Sequence, residues 1–204
     1  MARYLESRCK KCRQLGVSVC GSAHCALEKK NTPPGMHPQL RRKVSDFKKR
    51  LIEKQKLRFS YWVPERQFRN YVKEAFRKKG ISGATLVVLL ERRLDNIVYR
   101  MGFAPSIPSA RQMVVHGHIL VNGRKVNQPS FSLTEGDQVS VREKSKKMLL
   151  IEEGLARSMA RTHLPYIEVD KENLKGTLIS IPERTQIPFQ VDEGIIVEHY
   201  SRYI

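Results

Sequence analysis

The sequence has no long run of apolar residues. Its longest run, Leu86–Leu90, spans five residues, whereas a membrane-spanning helix needs about 20. The first eight residues hold no apolar core of a secretory signal peptide, so we expect a cytoplasmic chain without a membrane segment. A phosphate-cradling Gly-rich loop, an H-E-x-x-H sequence and a nucleophile elbow are also missing. We therefore predict no enzyme and no small-molecule substrate.

Acidic residues are too few to balance the basic ones. The 204 residues include 38 Lys and Arg against 20 Asp and Glu, a formal net charge of +18. Residues 1–80 alone hold 22 basic and six acidic side chains, whereas residues 151–204 have a net charge of −3. Because such an excess attracts polyanions, the sequence predicts a nucleic-acid partner that contacts mainly the first 80 residues. The alternative is a basic surface that is only solvated.

The four cysteines all lie near the N-terminus, at Cys9, Cys12, Cys20 and Cys25. The C-x2-C and C-x4-C pairs, seven residues apart, are spaced for one tetrahedral zinc ion held by four thiolates. A closed site of this kind has no open coordination position, so the predicted zinc is structural. Disulfides are the alternative, but they are rare in a reducing cytosol. His24, beside Cys25, is a possible substitute ligand.

Hydrophobic spacing predicts helices at residues 41–58 and 65–79. In the second helix an apolar stripe faces the core, and four basic residues form a stripe on the opposite face: Arg66, Arg69, Lys73 and Arg77. Such a stripe is either solvated or in contact with phosphates. Four like charges in line repel one another unless something neutralises them, so we favour phosphate contact.

The second half of the chain mixes helix and strand signals. Residues 83–101 are predicted to be one or two helices, and a short helix at 109–115 follows the candidate N-cap Ser106. Asn122-Gly123 is typical of a two-residue hairpin turn. Strands are predicted at 138–142, 166–169 and 177–181, with a turn at Lys175-Gly176 between the last two. A helix is predicted at 152–161, and the segment at 191–200 fits helix and strand equally.

The middle of the chain resembles a known family. Arg93–Phe103, Ser109–Gln112 and His116–Gly123 are similar to the RNA-binding domain named after small-subunit ribosomal protein four. The likeness continues through Val126–Ser130, Gly136–Glu143 and the flanking segments at 41–45, 53–58, 65–68 and 196–202, so it covers essentially the whole chain. The cysteine spacing resembles the zinc-bearing bacterial form of this family.

The resemblance implies an α+β fold. It has a zinc-bound N-terminal segment at 1–45 and a mainly helical basic domain at 46–91 that is completed by 182–204. An RNA-binding domain of antiparallel strands and short helices is inserted at 92–181. The implied function is a structural, ribosome-bound constituent of the small subunit that binds its rRNA early and nucleates assembly of the subunit body. The implied partners are small-subunit rRNA, neighbouring ribosomal proteins and mRNA near its path into the subunit, where the family contributes to translational accuracy. In some bacteria the family also represses its own mRNA.

The expected RNA-contacting residues fall into two groups. In the inserted domain they are Arg92, Arg93, Arg111, Gln112, His116, His118 and Lys125; the two histidines fit a scaffold role equally well. In the N-terminal part they are the stripe already named together with Arg41, Arg42, Lys43, Lys49, Arg50, Lys56, Arg58 and Tyr61, the last by stacking. Three positions depart from the family: Ile107 stands where a basic residue is usual, Ser109 where an acidic residue is usual, and Trp62 in place of glycine. Trp62 could stack on a base or fill a groove, and we favour packing.

Two other classes of protein compete with this interpretation. An RNA-modifying enzyme or synthetase can carry the same small domain, but the rest of this chain leaves no room for a catalytic domain. A DNA-binding zinc protein is the second alternative, but the cysteine segment lacks the C2H2 pattern and no recognition helix directly follows it.

Overall fold

The computed structural model describes residues 6–22, 24–37, 44–158 and 164–201. Contacts divide the chain into two compact units, one made of residues 1–86 with 189–204 and the other of residues 87–188. The boundaries predicted from the sequence, after residues 91 and 181, differ from this division by a few residues and stay predictions. The predicted α+β class is confirmed, because helices are combined with an antiparallel sheet.

The α-helices in chain order are α1 (Arg8–Leu15), α2 (Ala26–Lys29), α3 (Asp46–Ser60), α4 (Glu65–Arg77), α5 (Ser82–Glu91), α6 (Leu94–Arg100), α7 (Ile107–Val115), α8 (Leu149–Ser158) and α9 (Glu193–Ser201). The strands are β1 (Ile119–Val121), β2 (Arg124–Lys125), β3 (Gln138–Val141), β4 (Ile167–Asp170) and β5 (Lys175–Leu178).

Helix α4 forms where the sequence predicts it, whereas α3 covers Asp46–Ser60 in place of the predicted 41–58. Residues 44 and 45 precede the helix, and 41–43 lie outside the described residues. Ser45 caps α3, because its hydroxyl accepts a hydrogen bond from the N–H of Lys48 at 3.3 Å. After α3 the chain turns sharply at Trp62, whose φ of +50° lies in the left-handed region. In α4 the residues Phe68, Val72 and Ala75 are buried, so the helix has the core-facing stripe expected from its spacing.

Most of residues 191–200, whose sequence fits helix and strand equally, lie in the helix α9, which packs against α3. Ile196 is buried, and Glu198 forms an ion pair with Arg50. The hydroxyl of Tyr200 donates to Glu65 Oε1 at 2.7 Å, and Lys54 Nζ lies 2.8 Å from the same oxygen. The C-terminal segment therefore completes the first unit.

The second unit builds its core between α6, α7 and a five-stranded sheet. The strand order is β2-β1-β3-β5-β4, and every neighbouring pair is antiparallel. Ser106 caps α7 by accepting from the N–H of Ser109 at 3.4 Å, as predicted. Asn122 and Gly123 both have positive φ (+49° and +76°), which confirms the predicted hairpin turn between β1 and β2.

The turn predicted at Lys175-Gly176 is wrong, because both residues lie within β5. The chain reverses just before them, where the Asp170 carboxylate accepts hydrogen bonds from the N–H groups of Glu172 and Asn173, each at 3.0 Å. The glycine at position 176 is explained by close packing and not by a turn. A Cβ there would lie 2.7 Å from the sulfur of Met101, so the residue allows α6 and the sheet to pack closely.

Candidate metal centre and nucleic-acid interface

The cysteine segment brings three thiols into one cluster. Helix α1 carries Cys9, Cys25 directly precedes α2, and Cys20 lies in the connection between them. The Sγ atoms of these three cysteines all lie within 4.8 Å of one another. Four thiolates around tetrahedral zinc, with Zn–S of about 2.3 Å, stand about 3.8 Å apart. The spacing of the three donors therefore fits a metal ion.

Cys12 lies beside this cluster and is completely buried. Burial raises the pKa of its thiol to about 12, and hydrogen bonding with Cys20 and Cys25 also raises it. All four cysteines are unbridged, so the disulfide alternative is not observed. His24, the substitute ligand considered from the sequence, is exposed and does not belong to the cluster.

The basic stripe of α4 is fully accessible. Arg66, Arg69, Lys73 and Arg77 are all exposed, on the side opposite the buried apolar stripe. Within the part of the chain that the structure describes, none of the four forms an ion pair with a carboxylate. Their charges are therefore left for an external anion to neutralise.

The basic residues of α3 that are predicted to contact RNA differ from the α4 stripe, because each of them has a carboxylate partner. Lys49 lies 3.0 Å from Asp46, Lys56 lies 2.5 Å from Glu53, and Arg58 lies 3.3 Å from Glu65. Arg50 pairs with Glu198. We infer that α3 offers less uncompensated charge than α4. The predicted contacts Arg41, Arg42 and Lys43 lie outside the described residues.

The prediction that Tyr61 stacks on a base does not hold in this structure. Its side chain is only 2% exposed, so the ring is not accessible to a nucleobase. The aromatic spacing of the sequence does not reveal this burial, which follows from the turn after α3. Trp62 packs as expected, with its ring edge-on to Phe59 at a centroid distance of 5.7 Å.

Arg93 is also not placed for RNA contact, because it is 1% exposed. Its guanidinium donates to both carboxylate oxygens of Asp95, at 2.9 and 2.7 Å. Arg111 donates to Asp95 Oδ2 at 3.0 and 2.8 Å and keeps a side-chain exposure of 17%. The two arginines therefore share one buried carboxylate, and Arg93 is a structural residue of the second unit.

Other predicted contacts of this unit lie nearer the surface. Arg92 is half-buried and donates to the carbonyl of Leu133 at 2.8 Å. Gln112, His116 and Lys125 are exposed, whereas His118 is partly buried. Ile107, which replaces a basic residue usual in the family, is buried and contributes to the core.

His118 has the contact expected of a scaffold residue, and its role in RNA binding stays a prediction. Its Nδ1 lies 2.9 Å from the hydroxyl oxygen of buried Ser145, which is a scaffold contact. Its ring also lies 6.1 Å from that of exposed His116. Burial lowers the pKa of His118, and the charges of His116, Arg142 and Lys125 lower it further.

Arg142, which was not among the residues predicted to contact RNA, is exposed directly after β3. The alternation of that strand could have identified it. Val139 and Val141 are buried, so residue 142 falls on the opposite face of the strand.

Comparison with known protein families first shows which class of protein this chain belongs to. Residues 3–91 match the family described as Ribosomal protein S4/S9 N-terminal domain, and residues 92–139 match the S4 domain. The molecule is thus a ribosomal protein of the S4 type. The first match contains the cysteine cluster and the stripe of α4, and the second contains the turn with His116 and His118.

Relatives aligned over their whole length identify the family within this class. Small ribosomal subunit protein uS4 of Magnetococcus marinus is 49% identical over 208 residues, and uS4 of Thermus thermophilus is 46% identical over 209 residues. The uS4A protein of Symbiobacterium thermophilum is 50% identical over 208 residues. Each alignment covers 99% of this chain and 100% of the relative. The chain therefore belongs to the uS4 family of ribosomal proteins, which confirms the resemblance found in its sequence. In the described ranges, no helix is both long and apolar enough to cross a membrane.

Proposed function

We propose that this protein is a ribosome-bound, non-enzymatic constituent of the small ribosomal subunit that binds the rRNA of that subunit. Membership of the uS4 family supports the first part. The observation that carries the second is the α4 stripe, in which four exposed cations have no carboxylate partner within the described residues. An RNA backbone supplies the missing anions, and each neutralised phosphate releases counterions.

The chemistry of the exposed basic surface favours recognition of RNA by its shape over recognition by its base sequence. The accessible groups are mainly Lys and Arg side chains, which contact phosphates and 2′-hydroxyls. With Tyr61 buried, the aromatic platform proposed from the sequence is absent from this surface.

The cysteine segment, in our proposal, holds one structural zinc ion through Cys9, Cys12, Cys20 and Cys25. The clustering of three Sγ atoms with the buried fourth thiol beside them supports this assignment. When bound, zinc supplies positive charge that ionises the thiols and ties α1 to α2. Backbone N–H groups of Val19 and Leu27 donate to the sulfurs of Cys12 and Cys25 and favour the thiolate forms.

The finer roles rest on the family resemblance alone. We propose that the protein binds rRNA early, nucleates assembly of the subunit body, contacts neighbouring ribosomal proteins, and contributes to translational accuracy near the mRNA path. The residue ranges predicted for its domains belong to the same proposal.

Salt-dependent binding to a small-subunit rRNA fragment tests the proposed interface. Neutralising the α4 stripe by R66Q, R69Q, K73M and R77Q is expected to lower the slope of log affinity against log salt by roughly 3 to 4, if each cation neutralises one phosphate. The matched control is K49M with K56M, which removes two cations that already have carboxylate partners and should change the slope little. An unchanged slope in the four-residue variant would mean that the stripe is only solvated.

Two further experiments test the assignment of the partner. The protein should sediment with small subunits in high salt, and free protein beside subunits that lack it would overturn the proposal. Structured rRNA should also compete with bound RNA far better than duplex DNA does, which would exclude the DNA-binding alternative.

A further inference from the structure

The turn at residues 116–118, which joins α7 to β1, gathers four basic side chains. The rings of His116 and His118 lie 6.1 Å apart. Lys125 of β2 and Arg142 at the end of β3 both act electrostatically on His118. The N–H of Arg142 also donates to the carbonyl of His118 at 2.8 Å, which ties the end of β3 to this turn.

The charge of this group is not balanced by nearby acids. Among the residues that the structure describes, no carboxylate forms an ion pair with Lys125 or Arg142. The adjacent acid, Glu143, pairs instead with Lys146 at 2.7 Å, and its side chain is 82% exposed. Like charges held together in this way favour an anion between them.

Gly117 leaves room for the side chain of Lys125 beside the turn. Its φ is +73°, and a Cβ at this position would lie 2.0 Å from Cε of Lys125 and 2.8 Å from its Nζ. The lysine side chain therefore lies directly against the bare backbone between the two histidines. This close approach brings the Lys125 ammonium group next to the turn that carries the two imidazoles.

Ser145 fixes the second histidine. Its hydroxyl oxygen lies 2.9 Å from Nδ1 of His118, and the serine is only 5% exposed. This contact orients the ring and leaves Nε2 as its remaining polar atom. The site thus has a lysine side chain against Gly117, one oriented histidine, and the exposed side chains of His116 and Arg142 beside them.

We propose that His116, His118, Lys125 and Arg142 form a phosphate-binding subsite for the RNA backbone, and that His118 takes up a proton from solvent when the phosphate binds. The inference rests on the proposed rRNA-binding function and deepens it by naming the group bound and its linkage to protons. A phosphate favours the imidazolium form of His118, because it adds a negative charge beside the ring and offsets the neighbouring cations.

The direction of the pH effect follows from this linkage. In the free protein, burial and the neighbouring cations hold the pKa of His118 below its usual range, and bound phosphate raises that pKa. Affinity therefore rises as the pH falls through the pKa of the complex, and it levels off below the pKa of the free protein. A difference of one pKa unit between the two states makes binding about tenfold tighter at the acidic end.

The test measures affinity for an rRNA fragment between pH 5.5 and 8 at constant ionic strength. The wild-type protein is compared with H118Q and with the control H37Q, which alters an exposed histidine outside the cluster. We expect tighter binding at low pH in the wild type and H37Q, and a smaller change in H118Q. A wild-type slope retained in H118Q would overturn the proton linkage, and because the same RNA is used throughout, its own titration cancels.

The phosphate contact is tested separately by K125M. This variant should reduce the salt slope by about 1 and remain folded, since Lys125 is exposed. Nitrogen resonances of the imidazoles in the full-length protein should also show a raised His118 pKa with inorganic phosphate but not with chloride at equal ionic strength. An unchanged salt slope together with an unmoved pKa would refute the subsite. A wild type that fails to bind rRNA at any pH would refute the proposed function instead.

Discussion

Replacing Asp95 by Asn is expected to loosen the second unit far more than its small change in shape suggests. The carboxylate is fully buried and accepts four hydrogen bonds from Arg93 and Arg111, at 2.7 to 3.0 Å, and a fifth from the N–H of Asn96 at 3.0 Å. An Asn side chain removes the negative charge and turns an NH2 group towards a guanidinium. Removing one partner of a buried ion pair costs about 3–5 kcal/mol, because the other charge stays buried.

Hydrogen exchange measured on peptides is the suitable assay, since it separates the two units of the intact chain. A loss of about 3–5 kcal/mol should speed exchange of the most protected amides in residues 87–188 by roughly two to three and a half orders of magnitude. Peptides from α3 and α4 should not change. The control D170N alters an exposed carboxylate in a turn and should have a much smaller effect, and D95N combined with R93M should recover part of the protection.

Exchange in D95N within threefold of the wild-type rate would refute this reasoning. It would show that the buried carboxylate does not compensate the charge of Arg93. Full protection in D95N with a loss in the double variant would refute it as well, since removing the stranded charge should help.

Three further predictions concern separate parts of the molecule. C25S should reduce the zinc content measured by native mass spectrometry from one ion to none, whereas H24Q should keep it. E65Q should destabilise the first unit at neutral pH and much less at acidic pH. Burial raises the pKa of Glu65, but hydrogen bonds and charges from its partners lower it overall, so its contribution is present above the unfolded pKa of about 4.3 and is lost as the pH falls. G154A should lower the melting temperature, because its Cβ would lie 2.6 Å from the carbonyl oxygen of Gly102.

Each of these predictions has an outcome that contradicts it. Zinc retained by C25S at full occupancy would remove Cys25 from the ligand set. An E65Q effect that grows on acidification would reverse the assigned sign. The control for G154A is G194A, whose nearest neighbour is a carboxylate oxygen at 3.2 Å; equal melting temperatures for the two variants would show that the contact with Gly102 is not restrictive.

Local signals in the sequence predicted much of the fold. The spacing of Phe68 and Val72 identified α4 and its buried face, and Ser106 and Asn122-Gly123 marked a helix start and a hairpin turn. These signals act over a few residues, so they do not depend on the rest of the chain. The turn before β5 was wrongly predicted at Lys175-Gly176, because the Asp170 carboxylate makes the turn earlier in the chain. Gly176 instead lies in β5 and allows a packing contact with Met101.

The interface was harder to predict, because accessible charge depends on partners far along the chain. Arg50 and Arg66 look alike in sequence, but Arg50 meets Glu198 in the fold and Arg66 is left exposed. Arg93 was assigned to RNA although Asp95, two residues away, takes it into the core. Periodicity reports which side of an element faces inward, and it does not report which charges are neutralised.

The first unit is built from two stretches that are far apart in the sequence, with α9 packed against α3 and Glu198 paired with Arg50. During synthesis the N-terminal helices emerge first, but the surface of α3 that packs against α9 is covered only after residues 189–201 have been made. The second unit, contained in one continuous stretch at 87–188, has all its parts earlier. The most basic region of the protein therefore reaches its native fold only after residues 189–201 have been made, so a product truncated before them carries this charge without its native fold.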